Sequence, residues 1–472
     1  MAKPGKSGKK GPALAEKAEA ALDSLQVAID MGPPLALRPG VAYPLEPLTP
    51  EAREQTPSVG QRVPRVDSRA HGLGQTPYID DLTLPGMVHA KVLRSAHPHA
   101  RLLKVDVSAA AAVDGVVATL TGAEIPLNSF GPSYQDQPLL ADGKVRHRGD
   151  GVAAVAALSE QIASEALTRI KVEYEPLPGV FDPLEAMEDK APKVHEPGPN
   201  IYATKTIRKG DVDKALAQSD LVMEGRYTTQ MVEHVPIEPH ASIATWDANG
   251  RLIVYSTLGR ITLGRADIAR VLKMPINRIR VVGTIVGGNF GGKNEITVEP
   301  VIALLSRKAG RPVKHVYTRR DEFVSSTTRH PFVIDYVTGA ANSGRILARR
   351  VRLVADGGAY CSWSETTLGK AAILSAGPYA IDNLDIQAYA VYTNKTMTGA
   401  MRGFGAPQVC FAYESHMDEI AAELAIDPLE IRLLNAFAEG SESPTGQVLE
   451  SVVVRESLET AAGRFGWKEW KR

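Results

Sequence analysis

Two short glycine-rich runs constrain this chain more than anything else in it. The first is GGNFGGK at residues 287–293, directly after the apolar stretch RIRVVGTIV. The second is MRGFGAPQ at residues 401–408. Each sets glycines around one phenylalanine, Phe290 and Phe404. Glycine admits positive φ and leaves main-chain amides open, so such runs let backbone lie directly against a ligand. Two of them in one chain suggest two walls of one site, and the fold must then bring distant loops together. Arg402 stands in the second run, and its planar cationic fork suits a carboxylate or an oxyanion.

The first run also has the Gly-x4-Gly-Lys spacing of a phosphate-binding P-loop, from Gly287 to Lys293. That loop needs Ser or Thr next, to ligate Mg²⁺, and a helix starting at the Gly-Lys pair, whose amides face the phosphate. Here Asn294 follows, and Pro300 would fall inside that helix and break its hydrogen bonding. Pro300 fits instead the first turn of a helix starting near Glu299. A nucleotide-binding protein remains the disfavoured alternative.

The chain has 472 residues, enough for two or three domains, and a formal net charge of zero. Neutrality gives no support for broad attraction to nucleic acid or anionic membranes. Its two cysteines, Cys361 and Cys410, are too few for a disulfide framework or for an iron–sulfur cluster, and they read as two buried thiols. No apolar run reaches bilayer length, and the N-terminal MAKPGKSGKKGP has no apolar stretch behind it of the kind a secretory signal needs. A cytoplasmic protein is expected.

The patterning is mixed α/β (α+β). Residues 1–66 read as a flexible extension and linker: a basic tail over 1–12, a helix over ALAEKAEAALDSLQVAID, then a proline-rich arm suited to wrapping a partner subunit. Residues 67–187 read as an α/β unit. MVHAKVLRS, RLLKVDVS and GVVATLTG look like strands, with Ser108 capping a short helix and Gly115 ending it. GDGVAAVAAL reads as a buried strand, Ser159 caps EQIASEALTRI, and KVEYEPLP closes the unit. Residues 188–201 look like a linker. Residues 202–472 return to strands and helices: RLIVYST, a helix GRADIARVLKM, a strand RIRVVGTIV, a helix EPVIALLSRKAG ended by Gly310, strands RPVKHVYTR, RILARRVRLVADGGAY and LDIQAYAVYTN, and helices HMDEIAAELAI and DPLEIRLLNAFAEG.

Together the two loops resemble those of the molybdenum-cofactor subunit of the xanthine dehydrogenase/aldehyde oxidase family, the molybdenum hydroxylases. GGNFGGK is similar to that family's GGGFGGK, and RGFGAPQ to its RGFGGPQ. PYIDDLTLPGMVHAKVLRSAHPHARL and VEYEPLP resemble its hammerhead α/β domain, which would be residues 67–187. EHVPIEPHASIA, AGRPVKHVYTRRDEF and DPLEIRLLNAFAEG resemble its molybdopterin-binding domain, whose first half would be residues 202–472. The resemblance runs over about residues 63–470.

It implies a molybdopterin cofactor, in the cytosine dinucleotide form, carrying molybdenum that no side chain of this chain ligates. Gly288, Phe290, Gly291 and Gly292 of the first loop and Arg402, Gly403, Phe404 and Gly405 of the second would line it. Arg402 would hold or polarise the substrate, and Arg432 would support the site at longer range. The reaction would be oxidation of a C–H bond, in an N-heterocycle such as nicotinate or a purine or in an aldehyde, with water as the oxygen source. Family subunits continue into a second cofactor-binding half that holds the general-base glutamate. The resemblance therefore implies a split enzyme of the nicotinate dehydrogenase type, with this chain as the larger molybdopterin subunit. Its partners would be a smaller molybdopterin-binding chain, a 2Fe-2S subunit and an FAD subunit. Leu258 stands where the family often has a glutamine beside the metal, and Asn294 where xanthine-type members have a glutamate, with Glu295 next. Both departures argue against xanthine itself and motivate a second reading, a catalytically silent scaffold. Gly403 argues against the carbon monoxide dehydrogenase branch, which has a cysteine there.

Two histidine-bearing runs remain. His97 and His99 lack further ligands and read as structural. Glu233, His234, Glu238 and His240 look like a metal cluster, but strand alternation would split them between two faces. His234 and Glu238 are expected to shape the core near the cofactor.

Overall fold

Alternating apolar residues over short segments, broken by Gly, Pro and Asp, dictate strands that must find partners elsewhere in the chain. The computed structural model describes residues 63–470. The basic tail, the helix at 13–30 and nearly all of the arm lie outside the described residues. Six strands come first: β1 (Val88–Arg94), β2 (Ala100–Asp106), β3 (Val116–Thr121), β4 (Lys144–Val145), β5 (Gly151–Ala157) and β6 (Lys171–Pro176). Every residue of β5 is buried, as its unbroken apolar run requires. Helix α1 (Glu160–Leu167) follows, and the Ser159 hydroxyl accepts the Ile162 amide, a cap that stabilises by about 1 kcal/mol.

The rest of the chain adds β7 (Ile201–Lys209), β8 (Leu221–Thr228), β9 (Val232–Glu233), β10 (Ala241–Trp246), β11 (Leu252–Ser256), helix α2 (Ile261–Val271) and β12 (Ile279–Gly283). Helix α3 (Glu299–Ala309), β13 (Val313–Val316), α4 (Arg319–Ser325), β14 (Thr328–Arg329), β15 (Phe332–Ala340) and β16 (Ile346–Gly358) come next. Helix α5 (Ser364–Leu374), β17 (Asn383–Tyr392), α6 (Ala406–Glu423) and α7 (Pro428–Asn435) complete the part that builds the site.

One sheet runs through both expected segments. Its seven strands lie in the order β12-β11-β10-β13-β1-β5-β3, and the junction is a parallel pairing of β1 with β13, Val88 opposite Val313. A five-stranded sheet, β7-β17-β16-β15-β8, forms from the later part alone, with α5 and α6 supplying residues to its core. Helix α3 explains why the seven-stranded sheet holds. Pro300 lies in its first turn and Gly310, at φ 62°, ends it. Its buried Val301, Ile302 and Leu305 share one core with Val88, Ala90 and Leu120 of the first segment and Leu252 and Val254 of the second. Each such side chain contributes about 1.5–3 kcal/mol.

Several expectations are corrected. Val107, not Ser108, occupies the cap position of the short helix Ser108–Ala111, and the Ser108 hydroxyl donates instead to Asp106. The run 188–201 is not a free linker. Ala191, Val194 and Asn200 are buried, and Asn200 ties it down by accepting the Val194 amide and donating to the Ala186 and Pro192 carbonyls. Helix α2 begins at Ile261, three residues before Gly264, and β12 stops at Gly283. Cys361 is buried, but Cys410 is exposed, because Val409, Ala412 and His416 take the inward face of α6.

Expressed alone, residues 67–187 lose both β13 and α3. The expected outcome is a chain without a cooperative thermal transition that binds a hydrophobic dye, read by circular dichroism and dye fluorescence. A sharp two-state melt would show that the segment needs neither.

Candidate functional site

The first glycine loop leaves the open edge of the seven-stranded sheet after β12. The second leads directly into α6, with Gly405 at φ 85° in the cap position. The two loops touch. The Arg402 amide donates to the Phe290 carbonyl at 2.7 Å. Gly291 sits at φ 122°, and a Cβ there would lie 2.4 Å from the Ala400 carbonyl oxygen, so only glycine allows the approach. Phe404 holds φ 49° between Gly403 at 103° and Gly405 at 85°, a conformation costly for a bulky residue and one that clusters at functional sites. Gly288, Phe290, Gly291, Gly292, Arg402, Gly403, Phe404 and Gly405 are thereby brought to one place.

Beneath them lies EHVPIEPH, which is not a strand beyond Glu233, so alternation does not split it. All its polar side chains turn inward. His234 Nε2 donates to the Ala400 carbonyl at 2.8 Å, and its ring packs 3.0 Å from where a Gly292 Cβ would stand. His240 donates from Nε2 to the Gly292 carbonyl at 3.1 Å and from Nδ1 to Glu322 at 2.9 Å. Burial opposes a charge on both rings. It lowers the His234 pKa, whereas the Glu322 carboxylate outweighs it at His240 and raises that pKa. The pair looked like metal ligands in sequence and instead acts as two props, one under each loop.

Glu238 is the third prop. Its Oε2 accepts the Gly287 amide at 2.7 Å and the Lys293 ammonium at 3.0 Å, while its own amide donates to the Gly287 carbonyl at 3.1 Å. Only 1% of the Lys293 side chain is exposed, so this lysine cannot reach a phosphate. Only a single 3-10 turn, Gly292–Asn294, follows at the Gly-Lys pair; the α-helix α3 begins at Glu299. Both facts remove the P-loop alternative.

A further wall comes from residues that sequence patterning did not single out. The Ser362 hydroxyl donates to Glu295 Oε1, while Glu295 Oε2 is buried without a partner. Burial pushes the Glu295 carboxyl up to about 7, against the lowering pull of the Ser362 hydrogen bond. Next in sequence, the Trp363 ring lies 6.4 Å from Phe404 and 4.6 Å from the Arg260 guanidinium. The only sequence signal for this wall was Glu295 beside Asn294. Asn294 Oδ1 accepts from Asn289 at 3.5 Å, across the base of the loop.

Two residues stand at the margin of the site: Arg432, expected to support it at longer range, and Leu258, whose neighbour Gly259 donates its amide to the Lys293 carbonyl at 2.7 Å. Arg432 donates to Glu414, Asp418 and the Pro428 carbonyl, clasping α7 to α6, with no hydrogen bond to either loop. Leu258 is 3% exposed and belongs to the core shared with α3. His99 donates to the Pro178 carbonyl and His97 packs on Tyr174, and no cluster of metal-ligating side chains exists among the described residues.

The model of a molybdopterin cofactor-binding domain matches residues 194–436, and that of an aldehyde oxidase and xanthine dehydrogenase a/b hammerhead domain matches residues 73–178. The chain belongs to the xanthine dehydrogenase/aldehyde oxidase family. It is 39% identical over 405 residues to the nicotinate dehydrogenase large molybdopterin subunit of Eubacterium barkeri, covering 85% of this chain and 95% of that one. It is 40% identical over 372 residues to a probable xanthine dehydrogenase subunit of Bacillus subtilis (strain 168), covering 79% of this chain and 50% of that one. The crystal structure of quinoline 2-oxidoreductase from Pseudomonas putida 86 aligns with a TM-score of 0.83 at 30% identity, over 87% of this chain and 55% of that one. The chain thus spans nearly all of the first relative and about half of the other two.

The residues present fit a molybdopterin group. The amides of Gly288 and Phe290 have no acceptor among the described residues, which leaves donors for an oxygen-rich ligand lying against the first loop. As a molybdopterin-binding subunit, the chain offers main chain where the resemblance anticipates cofactor oxygens.

Two outcomes follow from this geometry. Lys293→Ala strands the Glu238 carboxylate and is expected to cost about 3–5 kcal/mol, with Glu238→Gln/Lys293→Met recovering at least half, in denaturant melts; a single-variant cost below about 1 kcal/mol would show that the pair does not hold the loop. The second outcome concerns pH. Unfolded, Glu295 ionises near 4.5; folded, near 7. Between those values unfolding releases a proton, so stability from this group falls as pH rises and is gone above about 7. Glu295→Gln should match the parent near pH 4 and exceed it by on the order of 3 kcal/mol above pH 8. Equal melts at pH 8 would contradict a carboxyl buried against ionisation.

Proposed function

We propose that this chain is the larger half of a molybdenum-dependent hydroxylase whose site is completed by a second polypeptide. The observation that carries the reading is the meeting of the two glycine loops, with the Arg402 amide on the Phe290 carbonyl and free amides beside it. A bound molybdopterin, in the cytosine dinucleotide form, would supply the redox chemistry that inserts a water-derived oxygen into a substrate C–H bond. Gly288, Phe290, Gly291 and Gly292 would hold its oxygen-rich face by main-chain donors and close approach. Gly403 and Gly405 would let the second loop pass close to it, with Phe404 turned toward Trp363.

The exposed Arg402 side chain would orient an electron-poor heterocycle, such as nicotinate or a purine, or an aldehyde. It would stabilise the negative charge that develops there. Arg329 supports it by donating to the Arg402 carbonyl at 2.9 Å. Arg432 would act only through α6. The general base would come from the smaller molybdopterin-binding chain, and electrons would leave through a 2Fe-2S subunit and an FAD subunit. Among the described residues no helix is long and apolar enough to cross a membrane, which is compatible with a cytoplasmic complex.

The test is metal analysis of the complex isolated from its own cells, with its chains identified by mass spectrometry, followed by turnover of N-heterocycles and aldehydes. Stoichiometric molybdenum with a second molybdopterin-domain chain is expected. A complex without molybdenum would favour the silent scaffold. In the active complex, Arg402→Ala should lower kcat/KM by about 10²–10³-fold at unchanged molybdenum content; parental kinetics would remove Arg402 from the substrate site.

A further inference from the structure

The segment that props the first loop has an outer side that nothing in the described chain uses. Between the buried His234 and the partly buried Glu238, the chain carries Val235, a buried Pro236 and Ile237. Ile237 is 93% exposed and Val235 49%. Val235 also holds φ 46°, an outlying conformation for a β-branched residue. The turn is held rigidly from below. The Val235 amide donates to Glu233, and the Arg319 guanidinium donates to the Pro236 and Ile237 carbonyls. The fold therefore fixes an apolar spur pointing at water.

One more exposed apolar ring adjoins it, and another lies on the helix that holds it. Phe290 is 47% exposed, and its ring lies 3.4 Å from the point beside Gly288 that is also 3.4 Å from Pro236 Cβ. Phe323, 51% exposed, stands one helical turn after Arg319 on α4, on the face that holds the spur. Large apolar groups gathered on a rigid surface mark an interaction site, and pre-ordering lowers the cost of binding.

We infer that this spur, with Phe290 and Phe323, is the docking surface for the polypeptide that completes the site. The inference rests on the split-site reading above. The occupant is a chain equivalent to the half of the longer relatives that this one does not match: only 50% of the Bacillus subtilis protein and 55% of quinoline 2-oxidoreductase are covered. In those proteins the remaining half is part of the same polypeptide. Here the apolar patch is continuous with the first glycine loop through Phe290, so whatever covers it also closes the loop from water. A second copy of this chain is the competing occupant.

The experiment uses the full-length tagged chain, isolated with its partners from its own cells. Wild type is expected to retain, in equal amount, a chain whose sequence matches a molybdopterin-binding domain. Hydrogen exchange should show amides of residues 232–238 protected in the complex relative to the free chain. Ile237→Asp should weaken the association about 30-fold or more, whereas Leu103→Asp, on an exposed site of β2, should not. Retention of the partner by Ile237→Asp at parental affinity, with residues 232–238 unprotected, overturns the surface and leaves the split-site reading standing. A homodimer formed through the spur, with no molybdopterin-domain chain attached, overturns both.

Discussion

One carboxylate oxygen organises the site. Glu238 Oε2 takes the Gly287 amide and the Lys293 ammonium at the two ends of a run rich in glycine, which by itself has no preferred shape. A buried ion pair is weak evidence for net stability, because desolvation offsets most of its attraction. Its value here is in fixing geometry. With both ends of the loop held, Gly291 can press on the Ala400 carbonyl and Phe290 can accept the Arg402 amide. His234 and His240 then support one loop each, so the backbone surface offered to a cofactor is set before any cofactor arrives.

The same segment serves two directions. Its polar residues face down to the loops while Val235 and Ile237 face out, and the run that resembles a metal cluster forms no ligand set among the described residues. Among the buried side-chain atoms without a hydrogen-bond partner are His234 Nδ1, Glu238 Oε1, Glu295 Oε2, Trp363 Nε1 and Thr327 Oγ1. They belong to the loops' immediate supports and neighbours. Such groups are costly in a finished interior, and these five fit a site that awaits further atoms, whereas others, such as His99 Nε2 and Asp385 Oδ1, belong to neither loop.

Much of the fold was legible because its signals are local. The Ser159 cap, the unbroken apolar run of β5, and Pro300 and Gly310 at the ends of α3 all work within a few residues. Both glycine loops were legible for the same reason, since glycine at a crowded turn answers to its own backbone angle. What escaped was set by distant neighbours. Residues 188–201 look solvated from composition, yet Asn200 and Val194 are buried. Arg432 resembles a site residue by motif, yet Glu414 and Asp418 hold it between helices. Ser362 and Trp363 carry no motif, and only the turn after β16 brings them to Glu295 and Phe404.

The sequence by itself determined the α/β class, the family, and the two loops with Arg402 between their glycines, because these depend on residue type and short spacing. Only the tertiary structure decided that Lys293 is buried against Glu238 and that one sheet joins the two expected segments. The same holds for the exposure of Val235 and Ile237, side by side with inward-facing Glu233 and Glu238. Those outcomes depend on which side chains meet after strands far apart in the chain have paired. No periodicity records that, since burial is a property of the neighbours and not of the residue alone.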